Sequence, residues 1–183
     1  MQLPATLSQG AFSPIRQFIF MFALTIIIQA IHMLEHLAQV LQKFVFSIAP
    51  AHGLIGQLDL EQVHFAFNLL YLAALIVVTV GWLYYGSQLC SKQKVLGAML
   101  LGTVTVQGYH MVEHSVKLAQ FISSGMQGTP GIVGMHFDAV IFHALMNTAV
   151  LAPVVVVFFC AGLHKELFPR WPGKLPPARF QGV

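Results

Sequence analysis

From Phe18 to Ile31 the chain passes through fourteen residues without one charged side chain, and Leu69 to Val80 is likewise uncharged. Runs of this kind restrict the fold severely, because a water-soluble domain must cover its core with charge. Only 8% of the residues here are charged, against 57% hydrophobic, whereas soluble domains carry about 25% charged residues. The lipid bilayer is therefore the expected solvent and partner. A spanning helix needs about 20 apolar residues, so 183 residues accommodate four spans with short loops and leave no room for a sizeable soluble domain. The expected fold class is all-α integral membrane, a multi-pass four-transmembrane-helix bundle. The net charge of +3 is scattered over helix ends and supplies no basic patch for nucleic acid.

The first span is expected at about residues 16–47. No small-residue cleavage site closes its apolar stretch, which excludes a signal peptide. Ala49 to Gly56 is punctuated by Pro and Gly and forms a turn. Asp59, with Gln62 three residues on, fits an N-cap with its capping-box partner for a second helix at about 60–85. Gly86 to Lys94 reads as a loop, helix three covers about 95–122, and helix four about 136–162. Residues 163–183 are basic and proline-rich and read as an interfacial tail.

Polar residues inside the spans are not scattered. Gln29, His32, Glu35 and His36 fall on one helical stripe, since positions three, four and seven apart share a face. The set returns as Gln107, His110, Glu113 and His114, displaced by 78 residues, and the same displacement pairs Gln42 with Gln120 and Gly53 with Gly131. One inserted residue later, His64 pairs with His143 and Asn68 with Asn147. The chain is thus read as one membrane domain of two tandem two-helix repeats, about 16–85 and 94–162. Because each repeat crosses twice, both halves enter in the same direction, and a pseudo-twofold axis along the membrane normal would relate them.

Lys and Arg set the expected orientation. Seven of the nine, Arg16, Lys92, Lys94, Lys165, Arg170, Lys174 and Arg179, share one side, and Lys43 and Lys117 take the other. Both termini are expected in the cytoplasm. All the His/Glu groups then lie toward the non-cytoplasmic leaflet.

Titratable groups at membrane depth are costly unless paired, hydrated or metal-bound, and here the same costly set occurs twice. Imidazole and carboxylate suit copper, iron and zinc. The expected metal ligands are His32, Glu35, His36 and His64 with His110, Glu113, His114 and His143. Glu35 and Glu113 are also the expected catalytic groups, as bases or as bridges between two metals. Gln29, Gln107, Asn68 and Asn147 share these faces and are expected to support the cofactor from the next layer outward. Two layouts are open: one ion per repeat, or a dinuclear centre on the pseudo-twofold axis. The second is preferred, because two neighbouring carboxylates at low dielectric repel and a pair of dications removes that repulsion.

The histidine pairs resemble the His boxes of membrane-bound di-iron hydroxylases and desaturases. Those families use several clusters of different spacing on a larger chain, whereas His-x-x-Glu-His occurs here twice with two further single histidines. The string also matches the zinc motif of one soluble peptidase class, over five residues only. No family is assigned on these grounds.

Other polar residues are assigned plainer roles. Asp59 and Asp138 read as caps, Met33 and Met111 as packing, His52 and His164 as solvated, and Cys90 and Cys160 as inert. His136 has no partner in the first repeat. The functional expectation is a membrane metalloprotein, redox or oxygen-activating if it is an enzyme, with copper or iron preferred and zinc next. The alternative is a haem-, pigment- or quinone-binding or ion-relay subunit that docks on other membrane subunits or a second copy of itself.

Overall fold

A computed structural model describes residues 13–56, 60–126 and 129–167. It contains four long helices, α1 (Pro14–Phe44), α2 (Glu61–Leu89), α3 (Gln93–Ser124) and α4 (Ala139–Cys160), with a short α5 (His164–Leu167). A single 3-10 turn, Val133–Met135, precedes α4, and no strand is present among the described residues. All four long helices are apolar and long enough to cross a membrane. At about 1.5 Å per residue, the 31 residues of α1 exceed a hydrocarbon layer of about 30 Å, so its ends reach the interfaces.

Local chemistry fixes where the helices start and stop. The Ser13 side chain accepts the Arg16 amide, and Pro14 occupies the first turn, where a missing N–H costs nothing. The carboxylate of Asp138 accepts the amides of Val140 and Ile141 and caps α4. His136 therefore lies on the preceding turn, exposed, and helix four begins three residues later than the sequence pattern implied. Helix α3 closes on Gly125 in the left-handed conformation. The expected Asp59 cap lies outside the described residues.

Helix α2 runs through Gly86, which the sequence placed in a loop, and stops at Leu89. The reason is local packing: Gly86 lies against the Trp82 ring, and the Trp82 indole donates to the Gln93 carbonyl across the turn. The α2–α3 connection is thereby reduced to Cys90, Ser91 and Lys92.

The helices pack in cyclic order, α1 on α2, α2 on α3, α3 on α4 and α4 on α1. Large apolar side chains such as Phe20, Ile31, Leu70, Leu83, Val112 and Leu145 point outward and are exposed, the arrangement expected when lipid is the solvent. Inside, one end is filled by Phe22, Leu75, Trp82, Leu100, Val154 and their neighbours. The other end is polar and its side chains are equally buried.

Candidate metal centre

Six histidines converge at the polar end: His32 and His36 from α1, His64 from α2, His110 and His114 from α3, and His143 from α4. Their exposures range from 0% to 8%. Spacing brings each pair together, since residues four apart on a helix stack one turn above the other. The Nε2 atoms of His32 and His36 are 3.1 Å apart, and so are those of His110 and His114. His64 sits 4.9 Å from His32, 5.2 Å from His36 and 4.6 Å from His114 between ring centroids. His143 lies 5.1 Å from His114 and 5.6 Å from His110.

His32, His36 and His64 form a group able to hold a metal ion, with one ligand atom from each lying within 4.8 Å of the others. Nitrogens bound to one ion at about 2.0–2.1 Å are separated by roughly 2.9–3.4 Å for ligand angles between 90° and tetrahedral. The 3.1 Å spacing of both histidine pairs falls inside that interval. It also suits a single N–H···N bond.

Hydrogen bonds on the far side of two rings settle which nitrogen faces inward. His143 Nδ1 donates to the Ala139 carbonyl at 2.7 Å, which leaves Nε2 with its lone pair. That atom is buried and has no partner among the described residues. His36 Nδ1 lies 2.9 Å from Gln39 Oε1 and donates to it, so its Nε2 also offers a lone pair to the cluster. An imidazole oriented by an oxygen on one side and open on the other is the usual preparation for metal binding. His64 Nε2 is likewise buried without a partner.

The glutamates do something the sequence did not reveal. Glu35 accepts the amides of Leu54 and Ile55, and Glu113 those of Ile132 and Val133. One turn or two farther along, Gln42 closes two hydrogen bonds with the backbone of Gly53, and Gln120 two with Gly131. Gly53 and Gly131 both adopt positive φ, +79° and +73°, and a Cβ on either would collide with the glutamate carboxylate. Each loop is folded over its carboxylate, and the carboxylate supplies the acceptors that the loop amides lack. In consequence the carboxylates of Glu35 and Glu113 are held by loop amides, contacts additional to the ligand and catalytic roles expected from the sequence.

Gln29, Gln107, Asn68 and Asn147 form cross-braces one turn from the histidines. Gln29 donates to Asn147 at 2.7 Å, joining α1 to α4, and Gln107 donates to Asn68 at 3.1 Å, joining α3 to α2. Each asparagine amide then bonds the carbonyl of a histidine four residues earlier, His143 or His64. Asn68 Nδ2 also lies 3.3 Å from His114 Nε2.

Two ion pairs went unassigned in the sequence. Lys117 on α3 pairs with Glu61 on α2 at 3.3 Å, with both side chains nearly buried, and Lys43 on α1 pairs with Asp138 ahead of α4. Glu61 shares a helical face with His64 and Lys117 follows His114 by three residues, a signal that could have found them. Of the remaining residues, Met33 accepts a contact from Thr148, and His52 and His136 are exposed. Comparison with family models, curated proteins and solved structures finds no match to this chain.

Proposed function

We propose that this chain is an integral membrane metalloprotein whose two halves hold a pair of transition-metal ions on imidazole nitrogen alone. His32, His36 and His64 would take one ion, and His110, His114 and His143 the other. The observation that carries the reading is the pair of 3.1 Å Nε2 separations, set beside the buried, unpartnered Nε2 atoms of His64 and His143. The proposed roles of Glu35 and Glu113 change from ligand or base to loop anchor. The matched loop clasps, Glu35 with Gln42 and Gly53, and Glu113 with Gln120 and Gly131, support the tandem duplication.

Without a carboxylate ligand, neutral imidazoles leave the charge of the ions uncompensated at low dielectric. That favours the ion able to carry the lower charge, so copper cycling through its +1 state is preferred, then iron, then zinc. A redox or oxygen-activating role in the membrane follows from such a centre. Lys43 and Lys117, the two cations on the minority side, are each held in an ion pair. The seven Lys and Arg of the other side outnumber them, which supports cytoplasmic termini.

Elemental analysis of the detergent-purified protein should find about two metal equivalents per chain, one for each three-nitrogen set. His36→Ala and His114→Ala should each lose at least one. Protein that is metal-free as purified and takes up none on reconstitution would sink the reading. A Soret or chlorin absorption band would replace it with the pigment-binding alternative, for which the close stacking of His64 on His114 leaves little room.

A further inference from the structure

A cavity of about 260 Å³ opens beside the histidine cluster. Its wall runs from the exposed loop at Ala49 and Pro50 to His36, His64 and His143, which are almost fully buried. Lys43, Lys117 and Glu61 line the way between. It thus connects the polar face of the bundle to both histidine sets. Liquid water occupies about 30 Å³ per molecule, so a small ligand with several waters fits.

The charge pattern says which ligand. Lys43 with Asp138 and Lys117 with Glu61 form pairs that are neutral in sum, the histidines bind as neutral imidazole, and the carboxylates of Glu35 and Glu113 accept loop amides. Among the described residues that line the cavity, Glu61 is the one carboxylate and it pairs with Lys117, which leaves none to balance the charge of an ion held by the cluster. The two ammonium groups lie on the path, and Lys117 offers three donors at a buried position. This feature is also independent of the duplication. The position equivalent to Lys117 is Gln39, and that equivalent to Glu61 is Val140. All four line the same cavity, so chemistry was added to one side of an otherwise paired site.

We propose that this cavity admits a small monovalent anion to the metal centre, where it completes the coordination and supplies the missing negative charge. The inference rests on the metal reading above and goes beyond it in naming the exogenous ligand and its route.

The test uses the full-length protein in detergent, loaded with Cu(II) and titrated with sodium azide. Metal content is measured first, so a failure of the metal reading shows as absent copper before any azide is added. Loaded protein should develop a saturable azide-to-copper absorption. Ala51→Phe, which narrows the mouth, should leave copper content intact and weaken azide binding roughly tenfold or more, about 1.4 kcal/mol. The paired change Lys117→Met with Glu61→Gln removes both charges without stranding one and should weaken it similarly, while Lys117→Arg should stay close to wild type. Copper-loaded protein that shows no azide absorption, or that binds azide equally well in Ala51→Phe and in the paired variant, would overturn the proposal while leaving the metal centre standing.

Discussion

Where α1 begins, the interior is filled by side chains such as Phe22, Leu75, Leu100 and Val154, each 0% exposed. Where α1 ends, the interior holds Gln29, His36, Gln107, Glu113 and His114, none more than 1% exposed. The same four helices make both ends. In the apolar end, helix association relies on close packing, because lipid competes equally well for apolar surface. Thr25 and Thr103 there bond the carbonyls of Met21 and Met99 within their own helices and demand nothing from neighbours. In the polar end Gln29 bonds Asn147 and Gln107 bonds Asn68 across the bundle, and each of these hydrogen bonds names its partner. The difference teaches that the apolar end supplies adhesion and the polar end supplies the register in which four helices meet.

The contrast can be broken most directly at Trp82, the largest fully buried side chain among the described residues. Trp82→Ala should cost about 3–5 kcal/mol by leaving a cavity and should lower the melting temperature in detergent. Metal bound per folded chain should not change. A fall in stoichiometry that tracks the stability loss would show that the two ends are not separable.

A smaller effect is expected at the loop clasps. Glu113→Ala leaves the Ile132 and Val133 amides without their acceptor, and because these bonds are only partly buried the cost should stay below about 3 kcal/mol, the figure for a fully buried unsatisfied group. Limited proteolysis should open the α3–α4 loop in Glu113→Ala and the α1–α2 loop in Glu35→Ala. If instead both loops stay protected and metal is lost, the glutamates are ligands after all.

The smallest effect belongs to Lys43 and Asp138. Partial burial alone would raise the Asp138 carboxyl, but the hydrogen bond from Lys43, with the amides of Ile141 and Val140, outweighs it and holds the group below the ordinary carboxylate range. A depressed carboxyl stabilises the fold above its unfolded pKa, and the contribution disappears as pH falls through the folded value. Asp138→Asn keeps a good cap and removes only the charge, so at neutral pH it should cost about 0.2–1 kcal/mol, as exposed pairs do. The difference in melting temperature from wild type should close as the pH falls through the folded value, and a gap independent of pH would assign the effect to the cap.

Much of this architecture was legible in the sequence, because membrane spans and face periodicity are local properties. The apolar runs located four helices, and the i, i+3, i+4 spacing placed His32 with His36 and His110 with His114. What escaped depends on contacts that no local pattern encodes. Nothing about Glu35 alone distinguishes a carboxylate facing a metal from one wrapped by a loop nineteen and twenty residues ahead. The clue was present in Gln42 and Gly53, which recur as Gln120 and Gly131, but its meaning required the positive φ of those glycines. Likewise Gly86 looked like a breaker until its contact with Trp82 was seen.

The amide braces carry a consequence for biogenesis. Gln29 of the first half bonds Asn147 of the second, and Gln107 of the second bonds Asn68 of the first. A nascent α1–α2 hairpin released into the bilayer would hold Gln29 and its histidines without the partners that α3 and α4 bring. Its insertion is then provisional until the last helix emerges, even though His32, His36 and His64 already stand together on the first two helices. Quality control would act on the finished bundle, in which both braces are closed.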